Sequence, residues 1–269
     1  MLQVFSNNTH GATLVTQKLK LVVLLSSLAA SGMALAQTAA PATAAAAPAP
    51  DYTLAFNVGA VTDYRYRGIS QSRLKPAIQG GIDFTHKSGF YVGTWASSIK
   101  WIKDAGGDAD AEVDIYGGYK NEVVKDLTID VGLLRYQYPS NDLAVSPNTL
   151  EVYGAVTYGP ATLKYSHSTT NLFGFDDSKG SGYVDLSASF EVGGVTLAPH
   201  VGYQKVKNYT TASYTDYSFT VSKDLSGFLL SAALVGTQTK DVPGSYAYVS
   251  PDGKNLGKAT VVLGVKKTF

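Results

Sequence analysis

The sequence predicts an all-β protein and, within that class, a transmembrane, antiparallel, up-and-down β-barrel of about twelve strands. Three observations support this prediction. Residues typical of strands and turns are abundant, with 18 Tyr, 10 Phe and 27 Gly against two Met and no Cys. From residue 51 onwards, segments of roughly ten residues alternate apolar and polar side chains. The connections between these segments alternate between short and long along the chain.

The N-terminal residues predict export. Lys18 and Lys20 precede an apolar run at 21–30, and the small residues at 34–36 match a secretory cleavage site. The apolar run is too short to span a membrane as a helix. Residues 1–36 are therefore predicted to be a secretory signal peptide.

Composition divides the rest of the chain into two parts. Residues 37–50 are rich in Ala and Pro, which predicts a flexible periplasmic spacer. No window after residue 36 holds 18 uninterrupted apolar residues, so a chain embedded in a membrane has to cross it as a closed sheet. We therefore assign residues 51–269 to an outer-membrane β-barrel.

Twelve strands account for the alternating segments. We predict them at 53–67, 77–86, 90–99, 111–119, 127–138, 150–158, 161–168, 183–192, 195–205, 214–222, 228–239 and 258–269. Five short connections begin after 86, 120, 158, 192 and 222, and six long ones begin near 68, 100, 139, 169, 206 and 240. Short periplasmic turns and long extracellular loops are typical of outer-membrane barrels, whereas a soluble sandwich has no reason to sort its connections this way.

Charged side chains collect on one face of most predicted strands. For example, Val184, Leu186 and Phe190 share one face, and Asp185 lies on the other. A soluble sandwich alternates as well, but its outer surface normally carries more charge than the 16% charged residues of this chain supply. Arg135 breaks the alternation, which indicates either a β-bulge or a position near a membrane interface where a long side chain can snorkel.

The last predicted strand ends on Phe269, which Val265 and Leu263 precede on the same face. This ending resembles the C-terminal signature of bacterial outer-membrane proteins. The resemblance implies that the barrel assembly machinery reads Phe269, Val265 and Leu263. It also implies a place in the bacterial outer membrane, in contact with its lipid and lipopolysaccharide, with the ring of Phe269 in the periplasmic aromatic girdle.

A second resemblance covers most of residues 51–269. It is carried by "VTDYRYRGISQS" (61–72), "KPAIQGGIDF" (75–84), "SGFYVGTWAS" (88–97), "EVDIYGGY" (112–119) and "DYSFTVSKDLSGF" (216–228). These segments resemble the TorF family of proteobacterial porins. The resemblance implies an outer-membrane barrel that acts as a channel, and it names no solute.

Charged residues of both signs are predicted to face the lumen. The apolar positions of the first strand point outwards, so Asp63, Arg65 and Arg67 point inwards. The same rule gives acidic lumen candidates at Asp83, Glu112, Asp114, Glu151 and Asp185. Opposite charges across a narrow pore set ion selectivity. Alternatively, the arginines neutralise buried carboxylates and fill a small barrel as a salt-bridged plug.

Other functions have weaker support. The Asp- and Gly-rich segments at 103–112 and 175–182 lack the spacing of a known calcium loop. His86, His167 and His200 lie on different predicted strands, so each is expected to be a lone polar residue and no metal site is predicted. No motif unites a serine, a histidine and an orienting group, so we predict neither an enzyme nor a cofactor. The net charge of +1 gives no argument for nucleic acid.

The sequence therefore predicts an outer-membrane porin, a passive diffusion channel for ions or small hydrophilic solutes. The alternative is a non-conducting barrel that acts in adhesion, ligand binding or envelope integrity through its extracellular loops, especially the loop at 240–257.

Overall fold

The computed structural model describes residues 50–240 and 247–269. The predicted signal peptide and all but the last residue of the predicted spacer lie outside these residues, so both stay predictions. In chain order the elements are β1 (Tyr52–Val61), β2 (Arg65–Tyr66), β3 (Ile69–Ser70), β4 (Ala77–His86), β5 (Phe90–Ser98), the helix α1 (Trp101–Asp104), β6 (Ala111–Val124), β7 (Leu127–Gln137), β8 (Thr149–Tyr158), β9 (Ala161–Ser168), β10 (Gly182–Ala188), β11 (Phe190–Val192), β12 (Val195–Lys205), the 3₁₀ helix η1 (Thr210–Ala212), β13 (Tyr214–Leu225), β14 (Phe228–Gln238) and β15 (Thr260–Thr268).

The long strands close into a barrel. Each strand of the wall pairs antiparallel with the next strand along the chain, and β1 pairs with β15 to close the circle. Only Ser189 separates β10 from β11, and both pair with β12, so they form one interrupted strand. The described wall therefore has twelve strands, in the order β1, β4, β5, β6, β7, β8, β9, β10–β11, β12, β13, β14 and β15. The predicted fold class is confirmed.

Turns and loops lie at opposite ends of this barrel. Short turns occupy 87–89, 125–126, 159–160, 193–194 and 226–227. The long connections are loop 1 (62–76), loop 2 (99–110), loop 3 (138–148), loop 4 (169–181), loop 5 (206–213) and loop 6 (239–259). Because neighbouring strands run antiparallel, all five turns share one end, and all six loops share the other.

The outer surface of the wall is apolar. Leu54, Val92, Leu186 and Leu263 point outwards and are each about half exposed, as are many other large apolar side chains of the wall strands. A surface of this kind would be costly in water but matches the hydrocarbon of a bilayer. A closed antiparallel barrel with an apolar exterior is a transmembrane barrel of the outer-membrane type. Within the described residues, no helix is long and apolar enough to cross a membrane.

Arg135 lies on this outer surface, close to the loop end of β7. Its guanidinium lies 3.2 Å from the side-chain oxygen of Gln137, the next outward residue. The pairing of β6 with β7 is regular at Arg135, and its irregularity lies between Glu122 and Val124 at the turn end. Of the two alternatives for Arg135, the structure therefore favours the position near the rim over the bulge.

The first strand is shorter than predicted. The alternation predicts one strand over 53–67, but β1 ends at Val61, and loop 1 leaves the wall and folds into the barrel. There it forms the small hairpin β2–β3, which turns through Arg67 and Gly68, both with positive φ. Polar residues continue to alternate here because their partners lie inside the barrel, and alternation alone does not distinguish this from a wall strand.

The loop end of the barrel holds the apolar core. Residues of loops 1, 2 and 3 pack inside the mouth, and Tyr64, Ile102 and Tyr138 are buried there. Two smaller clusters, built mainly from loops 4, 5 and 6, adjoin it. The loops thus fill one end of the barrel with side chains, and the polar interior begins where loop 1 meets the wall.

Candidate channel lumen

Loop 1 is held by a carboxylate at its base. Asp63 accepts hydrogen bonds from Arg65 Nε at 2.5 Å, Ser70 Oγ at 2.5 Å and Ser72 Oγ at 3.2 Å. Arg65 Nη1 also donates to the backbone carbonyl of Leu256 in loop 6 at 2.9 Å. Two of the predicted lumen residues, Asp63 and Arg65, therefore pair with each other and join loop 1 to loop 6.

Arg67 crosses the barrel. Its guanidinium meets Glu151 of β8 at two points, Nη2 to Oε2 at 2.7 Å and Nη1 to Oε1 at 3.1 Å. It also donates to Gln204 Oε1 of β12 at 2.6 Å. Around the wall, β8 lies five strands from β1 in one direction, and β12 lies four strands from β1 in the other. Since the farthest point of a twelve-stranded barrel is six strands away, the tip of loop 1 touches the opposite wall.

The environment of Arg67 keeps its charge. The guanidinium lies 4.1 Å from the centre of the Tyr183 ring and 4.8 Å from that of Tyr66, both favourable cation–π distances. Burial lowers the pKa of Arg67, but Glu151, with Tyr66 and Tyr136, raises it, and the net direction is upward. Arg67 is therefore a permanent cation held between two walls of the barrel.

Two further predicted carboxylates lie on β6, inside the same loop-end half of the barrel as Arg67. Glu112 accepts hydrogen bonds from Tyr64 Oη of loop 1 at 2.5 Å and from Tyr138 Oη of loop 3 at 2.8 Å. Asp114 is buried, and its Oδ1 has no hydrogen-bond partner among the described residues. Glu112 thus anchors two loops, whereas Asp114 has a carboxyl oxygen inside the barrel without a described hydrogen-bond partner.

Asp185 belongs to a cluster that sequence reasoning missed. His200 of β12 stands between Asp185 and Asp216, with Nε2 2.6 Å from the first and Nδ1 3.6 Å from the second. Tyr183 Oη donates to Asp216 at 3.1 Å. His200, expected to be a lone polar residue, therefore has two acidic partners on different strands. The available signal was that His200 and Asp216 occupy the inward face of adjacent predicted strands.

Asp83 lies apart from these groups, towards the turn end. It accepts a hydrogen bond from Tyr116 Oη. Nearby, Tyr91 Oη donates to Asp130 at 2.6 Å, and Lys164 Nζ lies 4.0 Å from the centre of the Tyr153 ring. Polar and charged side chains therefore line the interior below loop 1. Over 50–240 and 247–269, no group of three or more His, Asp or Glu residues has the arrangement of a metal site.

The three residues of the predicted assembly signal lie on the exterior. Phe269 is 68% exposed, and its backbone pairs with Phe56 through N–H···O contacts of 2.8 and 3.2 Å. Val265 and Leu263 are exposed on the same outer face of β15. This placement agrees with the sequence pattern, and recognition of these residues by the assembly machinery stays a prediction.

Comparison with known proteins identifies a family. A family model described as a bacterial protein of unknown function (Gcw_chp) matches residues 45–269. The chain belongs to this family. No curated protein matches this Gcw_chp member. The finer resemblance to the TorF family stays a prediction.

Solved structures with partial similarity to this chain include a porin and two other proteins. The NanC porin structure has 10% sequence identity, with 81% of this chain and 99% of that chain covered and a TM-score of 0.49. For OccAB3 of Acinetobacter baumannii the identity is 12%, the coverage 82% and 65%, and the TM-score 0.39. For OprD of Pseudomonas aeruginosa the sequence identity is 12%, with 80% of this chain and 64% of that chain covered, and the TM-score is 0.36. This Gcw_chp chain thus spans less than two thirds of the OccAB3 and OprD chains. The assignment of a porin-like outer-membrane barrel rests on its own strand pairing and surfaces.

Proposed function

We propose that this protein is a passive diffusion channel for ions or small hydrophilic solutes, constricted where Arg67 meets Glu151 and Gln204. The observation that carries the proposal is the charged contact across the lumen. A buried ion pair is seldom more stabilising than well-packed apolar side chains of the same volume. A barrel that needed only stability could close its interior with apolar residues. Arg67 and Glu151 instead place opposite charges where solutes would pass.

The balance of charge at this level favours cations. The acidic side chains there are Glu112, Asp114, Glu151, Asp185 and Asp216. The basic ones are Arg67, paired with Glu151, His200, paired with Asp185, and Lys164 of β9, which lies opposite Asp185 in the sheet register. An excess of carboxylates lowers the free energy of cations in a narrow pore and raises that of anions. We therefore expect the channel to prefer cations.

Conductance in a planar lipid bilayer tests the proposal. The barrel, refolded in detergent and inserted, should give discrete and reproducible current steps. A salt gradient across the bilayer should give a reversal potential of the sign expected for cations. Protein that is shown separately to be folded and inserted, and that passes no current, would contradict the channel.

A second candidate function is favoured by the packing of the loops. Loops 1, 2 and 3 share one apolar cluster inside the mouth, with Tyr64, Ile102 and Tyr138 at its centre. This filling agrees with a non-conducting barrel that acts through its extracellular loops. Absence of current from inserted protein would favour this candidate, and binding to the loops would then be the property to measure.

For assembly, we propose that the barrel assembly machinery reads the exterior of β15 through Leu263, Val265 and Phe269. Their exposure on one outer face supports this proposal. The folded barrel would then contact outer-membrane lipid along its apolar band and lipopolysaccharide at its loop end.

A further inference from the structure

We propose that a cavity among the extracellular loops binds a neutral, planar aromatic molecule that carries a hydrogen-bond acceptor. The cavity has a volume of about 470 Å³ and lies between loops 1, 2, 4 and 6. Its size is within the range of small-molecule sites, roughly 300–1,000 Å³. Seven aromatic residues supply much of its wall: Tyr66, Trp101, Tyr138, Phe173, Phe175, Tyr214 and Tyr248. The proposal does not depend on whether the barrel conducts.

The aromatic rings of the cavity wall pack against other aromatic rings, which fixes their orientations. Tyr214 and Tyr248 meet edge to face with their ring centres 5.0 Å apart, and Tyr66 meets Phe173 in the same way at 5.4 Å. Trp101 packs edge to face on Tyr138 at 5.1 Å. Edge-to-face pairs stabilise fixed ring orientations. The cavity is therefore walled by preformed ring surfaces, which suit a flat apolar ligand.

Several polar groups of the wall already have protein partners. Tyr138 Oη donates to Glu112, and Tyr248 Oη donates to the carbonyl of Ala212 at 2.7 Å. Tyr66 Oη is 2.7 Å from Tyr136 Oη. A sugar would need many free donors and acceptors for its hydroxyl groups, and this wall offers few. The lining therefore favours an aromatic ligand over a carbohydrate.

The indole N–H of Trp101 is a donor in this wall that a ligand could use. Trp101 Nε1 is buried and has no hydrogen-bond partner among the described residues. A buried indole N–H normally has a partner, because leaving it unsatisfied costs free energy. An acceptor on a bound ligand would satisfy it. This single directional contact would orient a planar molecule within the aromatic walls.

The charge of the wall favours a neutral ligand. Among the described residues that line the cavity, Asp104 is the one with a charged side chain, and it forms an ion pair with Arg73. Gln204 also lines the cavity, but its Oε1 accepts the hydrogen bond from Arg67. No unpaired charge in this lining would attract an ion. The ligand that fits is uncharged, aromatic and equipped with an acceptor.

The indole N–H resonances provide a direct test. The chain has two tryptophans, Trp95 and Trp101, so a ¹⁵N-Trp-labelled barrel in detergent micelles gives two indole signals, and Trp95→Phe assigns them. Coumarin is the probe because it is planar, neutral and carries a carbonyl acceptor. Naphthalene is the control because it has a ring system of the same size without an acceptor. We expect coumarin to shift the Trp101 signal downfield in a saturable way and naphthalene to shift it much less.

Affinities measured by equilibrium dialysis against micelle blanks complete the test. Trp101→Phe should weaken coumarin binding about 5- to 10-fold, the usual value of one hydrogen bond, and change naphthalene binding less than about 2-fold. Ala105→Phe, which fills part of the cavity, should weaken both probes while the Trp101 signal stays dispersed. Shifts that grow without saturation at both indoles, or coumarin affinity unchanged in Trp101→Phe, would overturn the proposal. So would unchanged binding of both probes in folded Ala105→Phe.

Discussion

Arg67, at the tip of loop 1, forms a two-point ion pair with Glu151 on the far wall of the barrel, with N···O distances of 2.7 and 3.1 Å. The two residues are 84 positions apart in the chain, and both side chains are nearly inaccessible to solvent. The pair therefore decides two properties at once. It holds loop 1 across the interior, and it places a cation and an anion side by side where the loop tip meets the wall.

Replacing Arg67 with Ala should change conduction. The change removes the fixed cation and the group that holds the loop tip, so we expect a larger single-channel conductance and a reversal potential shifted further towards cations. The measurement is current in a planar bilayer under a salt gradient. Arg135→Ala is the matched control because it removes an arginine from the outer surface of the same barrel. Equal effects of the two substitutions would place Arg67 outside the ion path.

The same pair should show coupling in stability. Arg67→Ala leaves the buried carboxylate of Glu151 without its partner, which costs about 3–5 kcal/mol of unfolding free energy for a typical buried pair. Adding Glu151→Gln removes the uncompensated charge and should recover part of that loss. Urea titration in micelles, followed by tryptophan fluorescence, measures both variants. A double variant that is no more stable than Arg67→Ala would show that the pair is not coupled.

Gly68 should be intolerant of a side chain. Its φ is +78°, and a Cβ there would lie 2.5 Å from Thr237 Cγ2 and 2.8 Å from Asp216 Cβ. Gly253 has the same φ of +78° but nothing within 4 Å of its would-be Cβ. We therefore expect Gly68→Ala to displace loop 1 and make it a substrate for trypsin. Gly253→Ala, which carries the backbone strain alone, should keep loop 1 resistant. Equal trypsin sensitivity would mean that loop 1 is not docked by this contact.

Asp252, in the described part of loop 6, should stay ionised in acid. Hydrogen bonds from Lys254 and Ser250 lower its pKa to about 2. A lowered pKa means that this contact stabilises the loop above the ordinary pKa of Asp and is lost as the pH falls through about 2. NMR titration of the Asp252 carboxyl carbon should give a midpoint near 2, and Lys254→Ala should raise it. A midpoint near 4 in the unmodified chain would contradict the contact.

Phe269 should be needed for insertion because of its ring. Phe269→Ala keeps the backbone hydrogen bonds to Phe56 and removes only the exposed aromatic side chain. We expect less folded barrel in the outer membrane, measured as the heat-modifiable fraction on a gel. Phe90→Ala is the control, since Phe90 is 62% exposed and also lies at the turn end. Equal losses in the two variants would show that the aromatic girdle matters and that the terminal position does not.

Much of the wall was predictable from the sequence. The twelve strands, their outward faces and the separation of five turns from six loops depend on alternation with period two and on turn residues. Both features are local, because each side chain faces either lipid or the interior according to its own position in a strand. The outward positions of Leu54 and Phe56 on β1, and of Leu186 and Phe190 on β10–β11, could be predicted without knowing which residues lie near them in space.

The path of loop 1 and the pairing of charges required the tertiary structure. Asp63, Arg65 and Arg67 alternate like a wall strand, and only contacts with residues far along the chain, such as Glu151 and Gln204, reveal an inward-folded loop. His200 likewise acquires two acidic partners because β10, β12 and β13 are neighbours in the closed sheet. The sequence by itself determined the barrel and its lipid-facing surface, since those follow from local periodicity. The contents of the lumen were decided by the closure of the barrel, which brings distant strands within hydrogen-bonding distance.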